Sequence, residues 1–196
     1  MAEPLLRPYD AARPADRAAV LDICVRTGAA GADASGLVDP RQLTDRYATP
    51  YLELEPSWAV LAEVDGAVQG YLLGTPDTWG FAARFGAWPS SLGPAEQAEH
   101  VANMLVPECE AYPAHLHVDL LPVAQGRGIG RALVEHFVTR LERDAPGAGG
   151  VHLGVDPANT GALAFYPRLG FEELRRDSAV VLFGRRLTPP RGPRET

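Results

Sequence analysis

The residues that could do chemistry concentrate in the run His117-Val118-Asp119-Leu120-Leu121-Pro122-Val123-Ala124-Gln125-Gly126-Arg127-Gly128-Ile129-Gly130-Arg131-Ala132. An apolar stretch gives way to a glycine-rich turn, and Leu133, Val134, Phe137, Val138 and Leu141 then follow at helical spacing. A helix start presents unpaired N–H groups and a partial positive charge, and glycines there let a phosphate come close to the backbone. The chemistry suggested is the holding of a pyrophosphate. Glycines at helix starts also serve capping and packing, so spacing must sharpen the reading. The pattern is not Gly-x-Gly-x-x-Gly, because position 131 is Arg, and it comes too late for a first dinucleotide-binding unit. Asp119 is a charge inside an otherwise apolar strand, which suits a general base, or equally a partner for Arg127, Arg131 or a nearby histidine. His115-x-His117 puts two imidazoles on one strand face, yet no third ligand is evident and no metal is expected. His100, His136 and His152 carry no signal of their own, and Cys24 reads as core.

Composition narrows the classes. The chain has 196 residues, 46% of them hydrophobic and 22% charged, which is ordinary for one globular domain. A net charge of −7 argues against nucleic acid as a partner, since phosphate backbones demand a cationic face. All 18 basic residues are arginine, so a Walker-type phosphate loop, which needs its lysine, is excluded. No apolar run reaches the roughly 18 to 20 residues of a membrane span, and residues 1–9 lack a leader pattern. Two cysteines are too few for a disulfide framework, so a cytoplasmic protein is the expectation.

The elements that must position these residues are legible in outline. Residues 5–7 read as a strand and 15–27 as a helix, with Val20, Ile23, Cys24 and Thr27 on one face and Gly28 at its end. Asp39-Pro40 opens a second helix through about Tyr47. Residues 58–64 and 68–73 are strand-like and joined by Asp65-Gly66, a strong hairpin signal. Residues 76–94 hold Trp79, Phe81, Phe85 and Trp88 among breakers, too broken for a long helix, and are expected to form an ordered, packed insertion walling an acceptor cleft. Helices are expected at 94–106, 130–143 and 160–168, and strands at 114–121, 151–155, 171–174 and 179–184. The later strand–helix rhythm implies an α/β sheet that is parallel in part.

Gln125-x-x-Gly128-x-Gly130, following Pro122 and an apolar strand, resembles the coenzyme A loop of the GCN5-related N-acetyltransferases. Asn159-x-x-Ala162-x-x-x-Tyr166-x-x-x-Gly170-Phe171 is similar to that superfamily's second signature. Arg7-Pro8-Tyr9, Asp22-Ile23-Cys24, the segment from Glu63 to Asp77 and the insertion with Trp88 resemble the acetyltransferase-like C-terminal domain of animal O-GlcNAcase, over most of residues 5–187. The present chain departs from that domain in keeping the Gln-x-x-Gly-x-Gly loop.

The resemblance implies an α/β fold with a mixed central sheet of six to seven strands, a splayed central pair and flanking helices. It would form one domain over residues 1–187, followed by a disordered tail at 188–196. It implies an acetyl-CoA-dependent N-acetyltransferase acting on a small-molecule or peptide amine, or else an acetyl-CoA-binding module that does not turn over. The turn Gln125, Gly126, Arg127, Gly128, Ile129, Gly130 and Arg131 would take the pyrophosphate. The backbone near Leu121 and Val123 would take the pantetheine arm. Asn159 would touch the cofactor or cap its helix. Tyr166 stands where the superfamily places a hydroxyl that protonates the leaving sulfur, although a purely packing role for the ring is the alternative. Pro167, in the last helical turn, removes one backbone bond and can shift Tyr166.

Overall fold

A computed structural model describes residues 4–188, so the tail expected from 188 onward falls almost wholly outside the described residues. Seven strands form one sheet: β1 (Leu5–Pro8), β2 (Val60–Val64), β3 (Ala67–Thr75), β4 (Ala114–Leu120), β5 (Gly150–Val155), β6 (Glu172–Arg176) and β7 (Val181–Arg186). Their order is β1-β2-β3-β4-β5-β7-β6. Every pairing is antiparallel except β4 with β5. Among the described residues no helix is long and apolar enough to cross a membrane.

Local signals explain the elements. The helix α1 (Pro14–Thr27) starts on Pro14 with Asp16 in its first turn, and buries Val20, Ile23, Cys24 and Thr27. Asp39 caps α2 (Pro40–Tyr47) by accepting from the Arg41 and Gln42 amides. Asp65 and Gly66 take left-handed conformations, φ 50° and 79°, and turn β2 into β3. The short helix α3 (Thr49–Leu54), with Pro50 in its first turn, follows α2 and is a separate element beyond those expected. Residues 76–94 hold no long helix but do contain a short one, α4 (Thr78–Gly86), which forms because Asp77 accepts from the Gly80 amide and Phe81 and Phe85 fall on one face. Phe81 and Phe85 are fully buried, whereas Trp79 is 52% exposed, so the aromatics are not uniformly packed.

The helices α5 (Pro94–Met104), α6 (Ile129–Asp144) and α7 (Thr160–Phe165) complete the layers. The last is shorter than expected. Pro167 cannot donate in an α-helical ladder, and the chain tightens into a 3₁₀ turn over Tyr166–Leu169. Strand alternation divides the core in two. Leu72 and Leu116 pack with Leu133, Val134 and Phe137 of α6, while Tyr71 and Leu73 pack with Ile23, Tyr51 and Phe81 on the opposite face.

One buried ion pair ties the first strand to the first helix. Arg7 grips Asp16 with both nitrogens, at 2.6 and 2.8 Å, while its Nε reaches Glu63 at 2.8 Å. The Asp16 side chain is 1% exposed, and the Arg7 guanidinium holds its carboxyl below the usual range. Asp16→Asn keeps the volume but removes the charge that matches the arginine. Breaking a buried pair from one side costs about 3 kcal/mol, so the urea midpoint of unfolding should drop accordingly with the slope unchanged.

Candidate active site

The glycine-rich turn is built by backbone conformation. A single 3₁₀ turn, Pro122–Ala124, ends β4's excursion, and Gly126 and Gly128 then adopt φ 70° and 78°. A Cβ at either would meet nothing within 4 Å, so the glycines are required by their left-handed φ rather than by crowding. Gly130 differs: a Cβ there would lie 3.1 Å from Phe165 and 3.3 Å from Leu120, so it permits α6 to pack closely. Ile129 is buried and anchors the helix start.

The amides of residues 126–128 have no backbone acceptor, and those of 129–131 occupy the unpaired first turn of a 16-residue helix. Six successive N–H groups are thus left at a positive helix end. Among the described residues neither Arg127 nor Arg131 enters an ion pair; Arg131 rests on the Arg168 carbonyl at 3.1 Å. Free amides and two guanidinium groups outside any ion pair among the described residues together suit a pyrophosphate.

Beside this turn the sheet opens. β4 and β5 pair only at Ala114–Val151 and His115–His152, and from there to Leu120 the two strands part. Leu121 was expected to offer its backbone, but its N–H donates to the Gln69 carbonyl at 2.9 Å and its carbonyl accepts from Ala124 at 2.8 Å. Backbone groups alternate sides along a strand, so those of Val118 and Leu120 face the opening. Gln125 Nε2 reaches the Leu120 carbonyl there at 3.0 Å. Val123 is 68% exposed on the turn, beside the mouth.

Tyr166 packs its ring against Phe165, Phe171 and Phe183. Its hydroxyl makes no hydrogen bond among the described residues, and it is not one of the sealed, partnerless polar atoms. Burial, aided by the Asp119 charge, pushes the phenol above its ordinary value, so it carries its proton at neutral pH. Asn159 caps α7, accepting from the Ala162 amide at 3.0 Å. Its amide nitrogen also lies 3.2 Å from where a Cβ on Gly31 would sit.

The arginines and histidines suggested as partners of Asp119 are not its hydrogen-bond partners. Tyr71 Oη donates to Asp119 Oδ2 at 2.6 Å, with Cys24 and Thr27 adjoining. Burial raises the Asp119 carboxyl, against the pull of the Tyr71 and Thr27 hydroxyls. Burial pushes the Cys24 thiol up to about 12, which makes it inert core.

Sequence reasoning missed the histidines. His115 and His117, on the same β4 face as Asp119, both contact Tyr51 Oη, at 2.7 and 3.0 Å. Thr78 Oγ1 contacts His115 Nδ1 at 2.8 Å. His100 and His152, which showed no signal in the sequence, complete the cluster through Tyr47 and His115. Burial draws His100 and His117 down to about 4, and His115 well below its usual range. The His-x-His spacing was the available clue, but it was weighed only as a metal pair. Among the described residues no group of metal ligands forms.

A groove of about 620 Å³ lies on another surface, between α1, α2, α3 and Trp88, and includes neither the turn nor β4. Trp88 joins it through a 2.8 Å bond to Glu53, so this end of the aromatic segment does line a cleft, though not the one between β4 and β5.

The fold has counterparts in known proteins. The model of the acetyltransferase (GNAT) family matches residues 35–171. The crystal structure of SsHAT shares 43% identity, with 94% of this chain and 98% of that chain covered and a TM-score of 0.82. At 12% identity the fold alone is shared with the PaiA N-acetyltransferase of Thermoplasma acidophilum in complex with coenzyme A, covering 94% and 99% at a TM-score of 0.62. The same holds for yncA of Salmonella typhimurium with acetyl-CoA, at 19% identity, 98% coverage of each chain and a TM-score of 0.59. With most of its length inside the family model and its fold matched throughout, the chain belongs to the acetyltransferase (GNAT) family.

Proposed function

We propose that this protein is an acetyl-CoA-dependent N-acetyltransferase that passes acetyl directly from the thioester to an amine. The observation that carries the reading is the set of six free amides at the start of α6, set beside the opening between β4 and β5. The amides of 126–131 with Arg127 and Arg131 would hold the pyrophosphate, and the Val118 and Leu120 backbone would hold the pantetheine arm. Acetyl-CoA supplies the activated acyl group. Tyr166, protonated and unpartnered, would give its proton to the departing sulfur. Asp119 Oδ2 accepts from the Tyr71 hydroxyl at 2.6 Å, and on this reading the carboxylate is a neighbour of the reaction while the amine's proton goes to another acceptor. The proposal extends to a kinship with the O-GlcNAcase acetyltransferase-like domain, on the N-terminal motifs, and to work in the cytoplasm on a small or peptide amine without nucleic acid.

Calorimetry tests the cofactor. Acetyl-CoA should bind one to one, and Gly128→Val should weaken it at least tenfold, about 1.4 kcal/mol, because valine cannot hold φ 78° and the turn must move. A Gly128→Val protein with native circular dichroism and unchanged affinity would remove the phosphate-loop assignment. Tight binding without thiol release from any amine would leave a binding module.

A further inference from the structure

We infer that His117 Nδ1 takes the proton from the attacking amine, and that a hydrogen-bond chain ending on the Pro113 carbonyl fixes that nitrogen as the acceptor. The inference rests on the transferase reading and adds its missing base.

The chain can be followed proton by proton. Thr78 Oγ1 lies 2.6 Å from the Pro113 carbonyl oxygen, and two oxygens that close need a proton between them. The carbonyl has none, so Thr78 donates. Having spent its only proton, Thr78 Oγ1 must accept from His115 Nδ1 at 2.8 Å. His115 is buried, neutral and without a carboxylate partner, so its Nε2 is bare and accepts from Tyr51 Oη at 2.7 Å. Tyr51 then has no proton left for His117. His117 Nε2 must therefore be the donor across 3.0 Å, and Nδ1 is the bare nitrogen of a neutral ring. Each step follows from one hydroxyl having one hydrogen.

That bare nitrogen is left without a protein partner among the described residues. His117 is half-buried, its Nδ1 bonds to nothing among the described residues, and it is not a sealed polar atom. Its strand is the one that parts from β5 directly after His115. Protonation at Nδ1 leaves the Nε2–H bond to Tyr51 intact, so the ring need not move when it takes the proton.

The surroundings also select the acceptor. The groups facing His117 are Tyr47 from α2, Tyr51 from α3, His100 from α5, His115 on its own strand and His152 from β5. Arg46 adjoins His100 and is paired with Glu96, and Asp119, two positions along the strand, is held by Tyr71. The carboxylate on that strand face, Asp119, accepts from Tyr71 and is raised toward its neutral form by burial, so an ammonium ion would find only a weak counter-charge. The substrate class that fits is an amine of low basicity, uncharged at neutral pH, such as an arylamine or hydroxylamine.

In the step itself the nitrogen lone pair forms the C–N bond to the thioester carbonyl, and the C–S bond breaks with its electron pair going to sulfur. The N–H proton goes to His117 Nδ1 and the Tyr166 proton goes to sulfur. Water then carries the proton from His117 back to Tyr166. The products are an amide and a free thiol, with nothing oxidised or reduced.

Nitrogen-15 spectra of the unmutated, ligand-free protein at pH 7 test the tautomer. A protonated Nε2 and a bare Nδ1 are expected for His117; a protonated Nδ1 would overturn the inference. Thiol release from acetyl-CoA with hydroxylamine as acceptor tests the role. His117→Gln retains a donor for Tyr51 but has no titrating nitrogen. Its kcat should fall about 100-fold or more while the acetyl-CoA Kd stays within twofold. With the rate referred at each pH to the unprotonated hydroxylamine present, the parent kcat should fall in acid with a midpoint about 4, and the variant should lack that limb. Tyr51→Phe, which frees the tautomer, should mix the two nitrogen-15 signatures and lower kcat by less. If the parent turns over and His117→Gln matches it, the base assignment fails alone. A parent that binds acetyl-CoA yet releases no thiol overturns the transferase reading, and the base with it.

Discussion

Tyr166→Phe is expected to lower kcat by about 10²- to 10⁴-fold, the span of a general acid's contribution, while leaving the acetyl-CoA Kd within twofold. The ring is held by Phe165, Phe171 and Phe183, contacts that phenylalanine reproduces. The hydroxyl has no partner among the described residues, so its removal strands no donor or acceptor, and the unfolding midpoint should hardly move. A rate loss without a loss of binding or stability is the signature of a group used only in the transition state. The pH dependence should agree: with the phenol raised by burial, the parent should show no alkaline limb from this residue below its ordinary value near 10. Single-turnover thiol release with a saturating amine is the measurement. Parent-like turnover by Tyr166→Phe would show that the ring is packing alone and that positioning carries the reaction.

Much of this site was legible because its signals are local. The turn at 125–131 could be placed from glycine spacing after an apolar strand, and Asn159 could be read as a cap, since both depend on a few consecutive residues. The β2–β3 hairpin followed from Asp65-Gly66 for the same reason. Pro167 was the visible cue to the end of α7, yet the helix expected to run to 168 stops at Phe165. What escaped depends on residues far apart in the chain. His115 meets Tyr51 and Thr78, 64 and 37 positions away, and no periodicity announces such contacts. The same distance effect concealed the partner of Asp119, because Tyr71 reaches it only through the β3–β4 register. Helix α4 was hidden by composition: Gly80 and Gly86 suggested breakage, whereas burial of Phe81 and Phe85 outweighs the weak propensity of a short segment.

The histidine cluster carries a second large effect, on stability in acid. His100 and His117 are drawn to about 4 by burial, and His115 and His152 are lowered as well. The unfolded chain binds these protons near 6.5, the ordinary histidine value. A depressed folded pKa means that the stabilisation is complete above pH 6.5 and is lost as pH falls through the folded value. Across that window the unfolded state takes up protons that the native state refuses. For His100 and His117 the loss is on the order of 2 to 3 kcal/mol each, a large share of the roughly 5 to 15 kcal/mol that holds a domain together. Asp16, lowered by Arg7, adds a loss of the same sign at still lower pH. Asp119 acts oppositely, because its raised carboxyl takes a proton in the native state first and returns part of the loss. Urea midpoints at pH 7, 6, 5 and 4 should therefore decline steadily from about pH 6.5 to 4. His100→Phe, which cannot protonate, should flatten part of the slope without removing it. A stability that stays level from pH 7 to 4 would mean that these imidazoles protonate freely in the folded protein, and the neutral tautomer chain through Thr78, His115 and Tyr51 could not then exist as described.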